Sequence, residues 1–184
     1  MVRLPLLRRW LLVGLAMSCV CGILACSGAG VSSSDQEVAI ELTTGGMAEL
    51  QQIVDDSQGK VVLVDFWATW CSPCRKQFPH TVELHEQYAD DGLVVVSVSM
   101  DDSEDPEIRE QVLGFLTKMG AGFSNLISRH GDSQQAFEEF DISALPHYVL
   151  FDRDGKRHDL TSPDPAKPVT TEILDQRVAE YLDR

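Results

Sequence analysis

Residues 61–74 read Val-Val-Leu-Val-Asp-Phe-Trp-Ala-Thr-Trp-Cys-Ser-Pro-Cys, and this stretch decides the fold. Its first six residues are apolar, mostly β-branched, and broken only by Asp65. A run without alternation is the pattern of a strand covered on both faces, as in a parallel sheet. The chain then turns through Ala68, Thr69 and Trp70 into Cys71-Ser72-Pro73-Cys74, and Phe78, Val82 and Tyr88 continue at the spacing of a helix, with Pro79 as its kink. Two cysteines therefore stand where a buried strand ends and a helix begins. The C-terminal edge of parallel strands is where α/β folds place their sites, and a helix N-terminus favours an anionic sulfur. Cys71 is the expected nucleophile, its pKa lowered toward about 7, and Cys74, one turn inside, the expected resolving thiol.

Outward from this stretch, apolar runs and helical periodicity alternate. Upstream, residues 38–42 are expected to form a short strand, followed by a helix with Met47, Leu50, Ile53 and Val54 on one side and Gly59 closing it. Downstream, residues 93–98 form a second Val-rich buried strand. Asp105-Pro106-Glu107 has the make-up of a helix start: a capping side chain, Pro in the first turn and an acid at the positive end of the dipole. Ile108, Val112, Phe115, Leu116 and Met119 mark its buried stripe and Gly120 its end. A strand near 123–127, a helix near 133–140 and a strand over 147–151 follow, with Asp154-Gly155 turning the chain into 158–161 as a hairpin. Residues 162–168 read as an exposed loop and 170–182 as the last helix. The pattern predicts one domain over residues 37–184, a three-layer α/β/α sandwich whose mixed sheet ends in an antiparallel hairpin.

The 184 residues carry 29 acids against 15 Lys and Arg, a formal charge of −14. No basic run follows the first ten residues, so the Lys and Arg density that a nucleic-acid partner demands is missing. Five cysteines are too few for a disulfide-stapled miniprotein, and Cys19, Cys21 and Cys26 all fall in the first 26 residues. Residues 1–25 place Arg3, Arg8 and Arg9 before an uncharged apolar run over 10–25, the layout of a bacterial export signal. That run is shorter than the roughly 20 residues that span the hydrocarbon core. Ile23-Leu24-Ala25-Cys26 resembles the tetrapeptide at which lipoprotein signals are cut, so Cys26 is the expected lipidation site. Cutting there leaves 12 bases against 29 acids, or −17, and membrane contact would rest on the acyl anchor alone. Residues 26–36, small and polar, read as a flexible tether. The expected location is extracytoplasmic, lipid-anchored to a bacterial membrane facing the periplasm or the cell exterior.

The residues around the cysteines resemble the thioredoxin family. Val64-Asp65-Phe66-Trp67-Ala68-Thr69-Trp70-Cys71-Ser72-Pro73-Cys74 carries that family's strand, aromatic cover and CxxC in register, and Leu145-Pro146-His147 falls where the family keeps a cis proline facing the active-site disulfide. Within the family the chain looks most like the exported, membrane-tethered proteins of the TlpA and ResA type. These insert an extra segment before the cis-Pro strand, and residues 99–145 have room for one more helix and strand than thioredoxin itself. The chain departs from that group in its simple front end and in Leu145, where tethered reductases often carry a hydroxyl residue. The resemblance implies a thiol:disulfide oxidoreductase that needs no cofactor and reduces or exchanges disulfides of protein clients, with cytochrome c maturation as one candidate setting and a membrane electron donor. It also implies that Asp65, with a raised pKa, accepts the proton of Cys74, that Trp70 covers the disulfide, and that Trp67 packs beneath. Leu145 and Pro146 would form the substrate-binding edge and keep a metal off the cysteine pair. A monomer is the default.

His80 and His85 raise a metal site as the competing reading. On a helix rising 1.5 Å per residue, His85 would lie roughly 16 Å from Cys74, too far to share an ion with bonds near 2 Å, so no metal is expected. His130, His147 and His158 read as surface or packing residues. A peroxidase would hold its reactive cysteine alone, and a pure binding module would be expected to have lost one of the pair. Pro73 before Cys74 resembles reductive members more than the disulfide-donating oxidases, the remaining alternative.

Overall fold

The computed structural model describes residues 39–160 and 169–184. The expected leader, tether and Cys26, and the 162–168 loop, lie outside the described residues. Strands β1 (Thr43–Gly45), β2 (Val61–Trp67), β3 (Leu93–Ser99), β4 (Ser124–Ser128), β5 (His147–Phe151) and β6 (Arg157–Leu160) form one sheet in the order β1-β4-β3-β2-β5-β6. β2 and β3 pair in parallel from Val61 opposite Leu93 to Trp67 opposite Ser99. β4 and β1 continue the parallel half, while β5 and β6 are antiparallel.

Every residue of β2 is buried, which explains the absence of alternation in its sequence. Helices α1 (Met47–Asp56), α2 (Ser72–Tyr88), α3 (Pro106–Met119), α4 (Gln134–Glu139) and α5 (Thr171–Leu182) connect and cover the strands. Val62, Val64, Val96 and Val98 share one core with Leu50 and Val54 of α1 and Val112 and Leu116 of α3. Val61, Leu63, Leu93 and Val95, whose side chains alternate to the opposite face, share a second with Leu84 of α2 and Leu174, Val178 and Tyr181 of α5. The expected three layers are therefore present, and α3, β4 and α4 fill the expected insertion between β3 and β5. α3 starts as its sequence dictates: the Asp105 carboxylate accepts from the Glu107 and Ile108 amides at 2.8 and 3.3 Å. It ends at Gly120, whose φ of 71° is the left-handed conformation of a helix stop. Among the described residues, no helix is long and apolar enough to cross a membrane.

The first strand lies later than expected, at Thr43–Gly45 rather than over 38–42. Leu42 is buried and Ile40 packs on the core, and this apolar spacing is what imitates a strand. Residues 39–42 join no ladder among the described residues. Arg109 takes the Leu42 carbonyl and the Asn125 side chain reaches that of Glu41 at 3.4 Å, so pairing begins only where Thr43 meets Leu126.

Candidate active site

β2 delivers the chain to the edge of the sheet, and the turn that follows is pinned from β3. The Met100 amide donates to the Trp67 carbonyl at 2.8 Å, tying the ends of the two strands together. Next along the chain, the buried Asp101 accepts from the Thr69 amide at 2.8 Å, from the Thr69 hydroxyl, and from the Ser99 hydroxyl at 2.6 Å. The turn thus held hands Cys71 to the N-cap of α2, with Pro73 in the first turn of the helix. Cys71 and Cys74 are joined in a disulfide with Cα atoms 5.3 Å apart. The Cys71 sulfur accepts from the Cys74 amide at 3.3 Å, so one of the free N–H groups of the helix start points at it. Cys71 is 5% and Cys74 1% exposed, which leaves Cys71 the more accessible sulfur. Trp70, by contrast, is 55% exposed, while Trp67 is fully buried against Phe78 and Phe115.

Asp65 lies on the face of β2 shared by Val61 and Leu63, opposite Tyr148 of β5. Thr81 of α2 donates to its Oδ2 at 2.7 Å, and Oδ1 has no partner among the described residues. Thr81 is seven residues beyond Cys74, on the same side of the helix, so this bond sets Asp65 beneath the helical face that carries Cys74. Burial pushes the Asp65 carboxyl up to about 7, with the Thr81 hydroxyl opposing the rise. Burial likewise raises the Tyr148 phenol, and the charge of Asp65 adds to the effect.

Leu145-Pro146 is a cis peptide. His147 follows directly and pairs with Phe66, which brings Leu145 and Pro146 to the sheet edge where β2 runs into the cysteines. Leu145 is half-buried against the core that includes Cys71 and Cys74. Trp70 also lines an open groove of about 600 Å³, walled by Ile108 and Phe115 and by Asp101, Asp102, Asp105 and Asp132, with Arg75 the one cation among its described residues. The histidines that raised a metal site point elsewhere. His80 is engaged by Glu83 and Asp175 at 3.1 and 2.7 Å, and His85 packs edge-on against Phe123. His147 and His158 are held by Asp159 and Asp152 at 2.9 and 2.7 Å.

Sequence reasoning missed Asp101, Thr81 and Tyr148. A carboxylate directly after a buried strand was the available signal for Asp101, and the register between β2 and β5 was the missing one for Tyr148.

Comparison with known proteins agrees with this geometry. The family model described as Redoxin matches residues 38–174. The thiol-disulfide oxidoreductase ResA of Bacillus subtilis is 27% identical over 144 residues, covering 78% of this chain and 69% of the relative. ResA of Bacillus thuringiensis is 31% identical over 128 residues, and there the chain spans 70% of its own length and 62% of the relative's. Among solved structures, that of a thiol:disulfide interchange protein from a Bacteroides species superposes with a TM-score of 0.52 at 25% identity, covering 71% of this chain and 78% of that one. The chain therefore belongs to the Redoxin family, among its thioredoxin-like thiol–disulfide oxidoreductases of the TlpA and ResA type.

Proposed function

We propose that the protein reduces or exchanges disulfides of protein clients outside the cytoplasm, through the Cys71–Cys74 dithiol. The observation that carries this reading is the cysteine pair at the N-terminus of α2, with the first sulfur facing a helix-start amide and the second buried behind it. In the reducing direction, the Cys71 thiolate attacks a client disulfide, forms a mixed disulfide and expels one client thiolate. Cys74 then attacks the Cys71 sulfur, closes the intramolecular disulfide and releases the second client thiolate, so that two electrons pass to the client. Asp65 takes the Cys74 proton in the second step, a role supported by its burial, its free Oδ1 and its pKa of about 7. Trp70 shields the disulfide, and the Leu145 backbone beside Pro146 pairs with an extended client segment. The oxidised pair is reset by a membrane electron donor. Residues 1–25 export the chain, Cys26 carries the lipid anchor and 26–36 tether a monomeric domain. Cytochrome c maturation, in which cysteines must be reduced outside the cytoplasm, is the setting this chemistry suits.

Replacing Cys71 with Ala should abolish reduction of insulin, while replacing Cys74 with Ala should trap the client as a mixed disulfide on Cys71. Turnover by the Cys71→Ala variant would sink the mechanism. The midpoint potential of the pair sets the direction: a value near −270 mV makes the protein a reductant, and one near −120 mV a disulfide donor.

A further inference from the structure

The segment that carries Leu145 and Pro146 is held at its two ends by two residues of β6, Arg157 and Asp159, which are bonded to each other. At its start, Arg157 donates from Nη1 to the Phe140 carbonyl at 2.8 Å and from Nη2 to the Asp141 carbonyl at 3.1 Å. These carbonyls end α4, where Asp141 takes a φ of 52°. At the far end, His147 Nε2 lies 2.9 Å from Asp159 Oδ1. Arg157 grips the same carboxylate in bidentate fashion, Nε to Oδ2 at 3.1 Å and Nη2 to Oδ1 at 2.8 Å. Four bonds thus occupy a guanidinium whose rigid fork offers five donors. Between the two anchors, Asp141, Ser143 and Ala144 are exposed and only Ile142 is buried, so the segment has little core of its own to fix it.

We propose that Arg157, acting with Asp159 and His147, is the positioning residue of the client-binding edge: it orders residues 141–146 before a client arrives, without touching client or dithiol. The inference rests on the reading of Leu145 and Pro146 as that edge. A segment ordered in advance binds without a further loss of freedom, whereas a loosened one must be ordered by the client, which weakens binding. The loss falls on KM for a client that lies along the edge and spares a small disulfide that reaches only the cysteines.

The test compares the wild type with Arg157→Lys and Asp159→Asn in dithiothreitol-driven reduction of insulin and, with each protein reduced beforehand and freed of dithiothreitol, in the rate at which it reduces dithiobis(nitrobenzoate), with the Cys71–Cys74 midpoint potential read alongside. Lys keeps the charge but not the planar fork, and Asn keeps the shape but not the charge. The expected result is an insulin KM about tenfold higher in Arg157→Lys and severalfold higher in Asp159→Asn, with the small-disulfide rate and the potential at wild-type values. A wild-type insulin KM in both variants overturns the inference, as does an equal loss on both substrates with a shifted potential. Failure of the wild type to reduce either disulfide removes the reading of the site itself, and this inference with it.

Discussion

At the scale of single residues, Asp65 ties the stability of the fold to pH. Its carboxyl is 1% exposed among apolar neighbours, and one hydroxyl bond from Thr81 does not replace the water it has lost. Its pKa therefore stands near 7, against about 3.9 in an unfolded chain. Between these values the folded protein keeps a proton that the unfolded chain has released. Stability is accordingly highest at low pH with respect to this group, falls as pH rises through this window, and reaches its full deficit above about 7. Each tenfold difference in proton affinity between the folded and unfolded chain is worth about 1.4 kcal/mol, so the deficit at pH 8 is roughly 4 kcal/mol at most. Asn at position 65 carries no charge at any pH. Urea unfolding of Asp65→Asn and its parent should give a stability difference that moves in favour of the variant by a few kcal/mol between pH 4.5 and pH 8. A difference that stays constant over that range would show that the Asp65 carboxyl is not raised in the folded protein and ionises there as it does in the unfolded chain.

At the scale of elements, helix starts differ in how firmly they are tied. Asp105 accepts two amide bonds at the head of α3, the shorter of 2.8 Å, whereas the Thr170 hydroxyl meets the Ile173 amide of α5 only at 3.5 Å. Asp105→Ala should lower stability by about 1 kcal/mol, and Thr170→Ala by only a few tenths, both without changing the denaturant slope. Equal losses would mean that cap geometry does not govern these ends. The same contrast between local and distant causes explains which elements could be read in advance. α3 was legible from end to end because its cap, first-turn Pro and closing Gly are all written within its own stretch. β2 was legible because its burial on both faces left every position apolar but one. β1 was not, because only its partner β4 decides where pairing begins, and the apolar spacing of Ile40 and Leu42 reflects packing without a ladder.

At the scale of the whole molecule, the same division runs through the site. Cys71, Cys74, Asp65 and Trp70 stand within ten residues, so their grouping could be seen in one stretch. Asp101 reaches Thr69 across 32 positions, Thr81 reaches Asp65 across 16, and Arg157 reaches Phe140 across 17, contacts that arise only when strands and helices pack together. Charge is the property that no single contact explains. With a formal charge of −14, the acids that lack a basic partner repel one another across the compact state. The ion pairs that do form are close, such as Arg177 with Glu180 at 2.9 Å and Arg157 with Asp159 at 2.8 Å. Raising ionic strength from about 0.01 to about 0.15 M shortens the screening length from about 30 to about 8 Å. That removes most of the long-range repulsion while leaving contacts below about 3 Å largely intact. Sodium chloride over this range should therefore raise the thermal midpoint by about 2–4 °C, the shift that corresponds to about 1 kcal/mol in a domain of this size. A midpoint that falls with salt would mean that the surface ion pairs, and not the excess of acids, dominate the electrostatics of the folded state.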